Sequence, residues 1–187
     1  MLNNIKPKTG RLLISEPFMA DPNFKRAVVL LTEHGDEGTV GYILNQVGNL
    51  VLNDVIPDLW DAKNYIYFGG PVAADTLHFI HRCYDKLQSG EPIGDGLYWG
   101  GNFETLKILI NTNAIRADEV KFFMGYSGWD QGQLDRELEQ NAWMVSDIFN
   151  ADLIFSNDDD KLWRDVIMNL GPKYAHISNF PVDPSLN

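Results

Sequence analysis

Runs of apolar residues divide the chain into many short predicted strands and a few helices. Eight segments have the β-branched, aromatic or alternating character of strands: residues 11–14, 27–34, 39–46, 64–72, 76–84, 97–101, 119–126 and 142–148. The segment 27–34, AVVLLTEH, is apolar over its first five residues, which predicts a central strand buried on both faces. The GDEG turn at 35–38 joins it to the next strand, so the two are predicted to form a hairpin.

Helical spacing of apolar residues predicts three helices, over residues 102–115, 131–140 and 156–172. A shorter helical piece is predicted over residues 50–60, broken at Pro57. Asn102 is placed to cap the first of these helices. Ser156 is placed to cap the last one, and Gly171 and Pro172 are placed to end it.

The order of these elements indicates the fold class. Strands follow one another without regular βαβ alternation, which favours a single compact α+β domain over residues 1–187 with a mixed, mostly antiparallel sheet. The segments between the elements contain many turn-forming residues. Residues 15–26 are predicted to form a loop, residues 85–96 to form turns, and residues 179–187 to run over the surface.

Composition and charge narrow the classes of function. The single cysteine, Cys83, permits no internal disulfide, and no segment has the roughly 20 apolar residues of a membrane helix. With no signal-peptide pattern at the start, we expect a cytoplasmic protein without membrane contact. The formal net charge of −11 argues against direct nucleic-acid binding, although some bases gather near the N-terminus: Lys6, Lys8, Arg11, Lys25 and Arg26.

The segment 125–138, GYSGWDQGQLDREL, resembles a catalytic or phosphate-binding turn before a helix. As a nucleophile elbow it would present Ser127, but its second glycine comes one residue early and Trp129 stands where a small residue is needed. Neither the Walker spacing nor the Rossmann glycine spacing is present. These departures favour a structural role over a catalytic one.

The same segment fits the start of a helix. With Asp130 as the N-cap, Gln133 falls three residues later and completes a capping-box pattern. Trp129 and Leu134 then stand at the two positions of a hydrophobic staple. This interpretation leaves Tyr126 and Ser127 as the residues that capping does not explain.

Polar residues at the ends of the predicted strands suggest a ligand cleft. Arg26 and Asn45 are expected at the same end of the hairpin, where they could bind a carboxylate or a phosphate or hold loop backbone together. Adjacent strand residues such as Glu33 and His34 point to opposite faces, so we expect no metal site. Because no coherent catalytic set is present, we also expect no catalytic residues and no cofactor. The predicted cleft residues are Arg26, Glu33, His34, Asn45, Tyr126 and Gln133.

Four motifs together resemble the YqgE/AlgH family of bacterial proteins, in the order typical of that family: GRLLISEPFMADPNFKRAVVLLTEH (10–34), GTVGYILNQ (38–46), FGGPV (68–72) and GYSGWDQGQLDREL (125–138). The resemblance implies one α+β domain whose sheet curls into a partial barrel with flanking helices. It also implies a bacterial cytoplasmic protein. It implies no established activity, although some members are labelled as transcriptional regulators.

Three functions are therefore open at this stage. The first is an indirect regulator that contacts a protein or a small molecule. The second is a direct DNA-binding regulator, based on the family label and the N-terminal bases. The third is a hydrolase that uses Ser127 or a rim formed by Arg26, His34 and Asn45.

Overall fold

A computed structural model describes residues 5–60, 62–148, 150–156 and 158–181. The strands in these ranges are β1 (Leu12–Ser15), β2 (Val28–Gly35), β3 (Gly38–Ile43), β4 (Val47–Val51), β5 (Tyr65–Phe68), β6 (Val72–His81), β7 (Glu91–Gly94), β8 (Leu97–Trp99), β9 (Val120–Asp130) and β10 (Trp143–Ser146). The α-helices are α1 (Leu52–Val55), α2 (Tyr84–Leu87), α3 (Phe103–Asn111), α4 (Gln133–Glu139), α5 (Asp152–Phe155), α6 (Asp159–Asn169) and α7 (Ala175–Ser178).

The strands form one sheet in the order β10-β1-β2-β3-β9-β6-β8-β7, with β4 and β5 off this path. Neighbours along the path pair antiparallel, whereas β5 runs parallel to β9. The sheet of the described residues ends at β10 and at β7 and is not closed into a barrel. The predicted α+β class and the mixed, mostly antiparallel sheet are confirmed.

The longest strand, β9, is the centre of the sheet. One of its edges pairs with β5 near its start and with β3 near its end, while the other edge pairs with β6. Adjacent residues of a strand point to opposite faces, and Phe122 and Phe123 accordingly belong to different core clusters. Because β9 contacts three other strands, it connects all parts of the sheet.

Three apolar clusters hold the helices on the sheet. Helix α6 places Trp163 and Val166 in the first cluster, and α4 places Leu134 and Leu138 in the second. Helix α3 places Leu106 in the third. All five of these side chains are buried, so each helix is held by the hydrophobic effect rather than by its own propensity.

The prediction for the GYSGWDQGQLDREL segment was wrong at its start. Residues 125–130 do not form a turn into a helix, because β9 continues through them to Asp130, held by pairing with β3 and β6. The helix begins at Gln133, and its N-cap is Gly132 with φ of 67° instead of Asp130. Half of the predicted capping box is present, since Gln133 Oε1 accepts a 3.0 Å hydrogen bond from the Asp130 N–H.

The other predicted helix boundaries were closer to the structure. The side chain of Asn102 caps α3 by accepting from the Thr105 N–H, as predicted. Helix α6 begins at Asp159 rather than near Ser156, whose hydroxyl instead accepts a hydrogen bond from the Asp158 N–H. Residues 182–187 of the predicted surface tail lie outside the described ranges.

Five of the strands and α-helices given above were not predicted. Strands β4 and β7 contain glycine, asparagine or proline, which are uncommon in strands, and helices α2, α5 and α7 have only four residues each. Their conformations depend on pairing and packing with distant parts of the chain. None of the described helices is long and apolar enough to cross a membrane.

Candidate functional site

A cleft of about 530 Å³ lies where β2, β3 and β9 meet beside the start of β6. It is lined by thirteen described residues: Glu33, His34, Gly35, Asp36, Glu37, Gly38, Thr39, Val40, Val72, Tyr126, Gly128, Trp129 and Asp130. A volume of this size falls in the range of small-molecule sites. We therefore take this cleft as the candidate functional site.

The β2–β3 hairpin forms one wall of the cleft. Its turn is closed by the pair Gly35 and Gly38, followed inward by the pair His34 and Thr39. Gly38 has φ of 144°, and a Cβ at this position would lie 2.7 Å from the carbonyl oxygen of Trp129. Glycine therefore allows the hairpin to lie against β9, which forms the opposite wall.

The lining of the cleft is strongly acidic. Glu33, Asp36, Glu37 and Asp130 are all exposed, and neither lysine nor arginine is among the thirteen described residues that line the cleft. Carboxylates in a concave surface produce a negative potential, which attracts cations and repels anions. The cleft is therefore suited to a positively charged ligand.

Two side chains with hydrogen-bonding groups are held in place at the cleft. His34 Nδ1 lies 2.7 Å from Thr39 Oγ1, which fixes the imidazole across the hairpin. The Tyr126 ring is half-buried and packs edge-on against His78, with ring centroids 6.0 Å apart. Burial lowers the pKa of His78, so this imidazole is a neutral ring near pH 7 where it packs against Tyr126.

The structure brings together only part of the predicted cleft. Glu33, His34 and Tyr126 line it, whereas Arg26 and Asn45 lie at the open end of the hairpin. Arg26 precedes β2 and lies eight positions before His34, which corresponds to about 25 Å of extended chain. A rim formed by Arg26, His34 and Asn45 together is thus ruled out by the strand direction.

Arg26 and Asn45 bind other parts of the fold. The Asn45 side chain accepts a hydrogen bond from the Val28 N–H and donates one to the Arg26 carbonyl, each 2.9 Å long. The Arg26 guanidinium donates to the Phe180 carbonyl and lies 4.6 Å from the ring centroid of Trp163. These contacts hold together the backbone at the hairpin's open end.

Gln133 lies behind the cleft and does not line it. Its side chain accepts from the Asp130 N–H and donates a 2.8 Å hydrogen bond to Glu137 Oε1. Gln133 therefore fixes the end of β9 to α4, and it positions the backbone of Asp130, which does line the cleft.

Ser127 has a structural environment. Its side chain is fully buried, and its hydroxyl donates a 3.0 Å hydrogen bond to the Gly69 carbonyl. A serine nucleophile needs a base such as histidine within hydrogen-bond reach and access to the substrate. The geometry of Ser127 instead connects β9 to the FGGPV segment.

Several residues of the cleft were missed by sequence reasoning. Asp36 and Glu37 were assigned only to a turn, and Asp130 was assigned to a helix cap. Thr39 and Val72 come from strands whose register could not be read from the sequence. The acidic GDEG turn was the one signal that could have indicated the charge of the site.

Within the described ranges, no group of three or more His, Cys, Asp or Glu side chains is arranged to hold a metal ion.

Comparisons with known proteins agree with the fold. A family model described as AlgH-like matches residues 12–175. A UPF0301 protein of Cytophaga hutchinsonii is 42% identical over 180 residues, which cover 95% of this chain and 98% of that protein. A UPF0301 protein of Bacteroides thetaiotaomicron is 40% identical over 186 residues, which cover 99% and 94% of the two chains.

Two solved structures are similar to the chain over almost its whole length. The solution structure of the AlgH protein from Pseudomonas aeruginosa has a TM-score of 0.71 at 26% identity, covering 96% of this chain and 98% of that one. A crystal structure of a Corynebacterium diphtheriae protein has a TM-score of 0.79 at 21% identity and covers 95% of each chain, which shows the same fold.

Proposed function

We propose that the chain, which belongs to the AlgH-like family, is a binding protein that acts as a regulator through a positively charged partner at the acidic cleft. The observation that carries the proposal is the presence of four carboxylates around the cleft without a lysine or an arginine among the described lining residues. The partner we favour is a segment of another protein that is rich in lysine or arginine.

The charge of the cleft supports a cationic partner over a nucleic acid. Binding to a polyanion requires lysine or arginine to neutralise phosphates, and the lining offers carboxylates instead. The formal net charge of −11 adds long-range attraction for a basic partner. A regulator that works through this cleft would therefore act on a protein or a small cation rather than on DNA directly.

The uncharged part of the lining suits the stems of basic side chains. Val72 is 38% exposed at the start of β6, and the half-buried ring of Tyr126 lies on the neighbouring strand. Lysine and arginine bury their methylene groups on such surfaces while their charged ends reach carboxylates. Tyrosine also attracts a cation over its ring face. The cleft offers both apolar surface and negative charge.

Isothermal titration calorimetry can test this proposal with a pentapeptide of alternating lysine and arginine. We expect binding that weakens as salt rises from roughly 10 mM to roughly 200 mM, because added ions screen exposed charges. An acidic pentapeptide serves as the negative control, and spermidine distinguishes a small cation from a peptide. Tighter binding of spermidine than of the peptide would replace the protein partner by a small organic cation.

Two matched pairs of substitutions locate the binding. The cleft pair Glu33→Gln and Asp130→Asn removes two of the four carboxylates. We expect these substitutions to reduce the affinity for the peptide by about tenfold. The control pair Asp85→Asn and Glu91→Gln removes the same charge at exposed positions on α2 and β7. An equal loss of peptide affinity in the cleft pair and in the control pair would contradict binding at the cleft, since it would show an effect of net charge alone.

The regulatory part of the proposal needs a test in cells. In a bacterium whose own family member is deleted, a plasmid copy of this chain should restore the transcript profile. The cleft pair of substitutions should not restore it, although the variant protein accumulates to the same level. Full restoration by the cleft pair would show that any regulation does not use this surface.

A further inference from the structure

A lysine is buried at the start of β9, far along the strand from the acidic cleft. Lys121 is only 5% exposed, and β6 pairs with it through Ile80. Its Nζ donates a 3.2 Å hydrogen bond to the Ser156 carbonyl and lies 3.7 Å from the ring centroid of Tyr67. Lysine is almost never fully buried unless it is paired or has a chemical role.

An acid and a phenol accompany this lysine. Asp159, the first residue of α6, interacts with the charge of Lys121 and forms a side-chain hydrogen bond with Tyr67. The Oδ1 atom of Asp159 is buried and has no hydrogen-bond partner within the described part of the chain. A buried acceptor without a partner is costly, so this oxygen is available to a group that enters the site.

A cavity gives access to the lysine. It has a volume of about 220 Å³, and Lys121 and Tyr67 line it together with Asn64, Tyr65, Val120 and Phe155. The volume is below the usual 300–1,000 Å³ of sites for drug-sized ligands, so only a small compound fits. The lysine is thus buried from bulk water but lies at the wall of a space that a small molecule can enter.

Burial also sets the protonation of these groups. Desolvation lowers the pKa of Lys121 to about 7, against the opposing charge of Asp159. Burial raises the pKa of Asp159, and the neighbouring carboxylates of Asp160 and Asp158 act in the same direction, while Lys121 and Tyr67 oppose it. A lysine that is partly neutral at physiological pH is a nucleophile, whereas an exposed lysine is protonated.

We propose that Lys121 is the nucleophile of a second site, which captures small aldehydes or ketones as a Schiff base. The Nζ lone pair forms a C–N bond with the carbonyl carbon while the C=O π bond breaks, and one proton moves from the nitrogen to the oxygen to give a carbinolamine. The C–O bond then breaks and water leaves, with both of its hydrogens derived from the amine. The carboxylate of Asp159 accepts the second proton from the nitrogen and passes it to the departing hydroxyl, and Tyr67 positions Asp159 through their hydrogen bond.

Reductive trapping on the full chain tests this site. The protein is treated with propanal and sodium cyanoborohydride at pH 7, and each modified lysine is identified by peptide mass spectrometry. We expect Lys121 to be alkylated at least about tenfold faster than Lys63, which lines the same cavity, because desolvation leaves more of Lys121 in the neutral, nucleophilic form than is usual for a lysine. Unfolding in urea should abolish this preference.

The way in which the alkylation rate of Lys121 depends on pH and on the neighbouring side chains distinguishes this site from ordinary labelling of surface lysines. The rate at Lys121 should level off above about pH 8, whereas the rates at exposed lysines continue to rise up to their pKa near 10.4. Tyr67→Phe and Asp159→Asn should each slow Lys121 by about tenfold without changing Lys63. If Lys121 in the folded wild-type protein reacts no faster than Lys63, the proposal is overturned, and this result does not depend on any variant folding.

Discussion

The indole Nε1 of Trp129 donates a 2.9 Å hydrogen bond to the Oε2 atom of Glu137. The indole of Trp143 donates a 2.7 Å hydrogen bond to the same oxygen, and the two rings meet edge to face with centroids 5.7 Å apart. One carboxylate therefore connects the end of β9, helix α4 and strand β10. This connection explains in structural terms why the segment 125–138 carries a tryptophan and a glutamate eight residues apart.

Replacing this carboxylate should destabilise the protein. Glu137→Ala leaves the N–H groups of two buried indoles without their acceptor, and each such loss costs about 1–3 kcal/mol. We expect urea unfolding followed by tryptophan fluorescence to give a free energy of unfolding about 3 kcal/mol below wild type. Glu139→Ala on the same helix is the control, because that side chain is exposed. Similar losses in the two variants would contradict the role given to Glu137.

The backbone of Gly125 makes a second test possible. Gly125 has φ of 67°, and a Cβ there would lie 2.5 Å from the Gly70 carbonyl oxygen. Gly96 has φ of 74°, but no heavy atom lies within 4 Å of its hypothetical Cβ. Gly96→Ala should lose about 1 kcal/mol from backbone strain alone, and Gly125→Ala should lose clearly more because two backbone segments must move apart. Thermal unfolding of the two variants measures the difference, and equal melting temperatures would show that the close approach to Gly70 is unimportant.

The sequence predicted the local parts of the fold well and the distant contacts poorly. The hairpin of β2 and β3 followed from an apolar run and a GDEG turn, both of which are local signals. The strand character of residues 125–130 was missed because it depends on pairing with Gly38 and with Val72, which lie more than fifty residues away. Glycines that suggested a turn instead allow backbones to approach closely within a sheet.

The candidate site shows the same division. Glu33, His34 and Tyr126 were grouped because strand ends in a sheet collect polar side chains, and all three line the same cleft. Arg26 was grouped with them although a hairpin places its open end far from its turn. Lys121 could be read only as one charged residue in an apolar strand, since Asp159 approaches it from a helix thirty-eight residues later.

The buried hydroxyl of Ser127 leads to a prediction about stability and catalysis together. Ser127→Ala removes the hydrogen bond to Gly69, whose carbonyl still accepts a 3.0 Å hydrogen bond from the Ile43 N–H. Because the acceptor keeps a partner, we expect a loss of only about 1 kcal/mol in urea unfolding. Hydrolysis of p-nitrophenyl esters, measured on the same samples, should be the same for both proteins. An esterase activity that disappears in Ser127→Ala would instead support a hydrolase.

The low pKa of Lys121 makes stability depend on pH in a defined direction. The lysine has a pKa of about 7 in the folded chain and 10.5 in the unfolded chain, so the unfolded chain binds more protons between these values. The cost of burying the charge is therefore complete below about pH 7 and is relieved as pH rises. Over pH 7 to 9 the wild-type free energy of unfolding should rise relative to Lys121→Met by roughly 2 kcal/mol.

The other groups with shifted pKa values contribute little to the pH dependence of stability between pH 7 and pH 9. Burial lowers the pKa values of His78 and His81 below 6.5, so the folded and unfolded chains differ in protonation at these groups mainly below about pH 7. Burial raises the pKa values of Cys83 and Tyr67, so folded and unfolded chains differ at these groups mainly above pH 9. Urea unfolding at pH 7, 8 and 9 measures the slope, and Lys107→Met is the control because the pKa of Lys107 is raised by Glu104. If the free energy of unfolding of Lys121→Met changes with pH in parallel with that of wild type, Lys121 remains charged in the folded chain and the prediction is wrong. For the control Lys107→Met, a change parallel to wild type is the expected result.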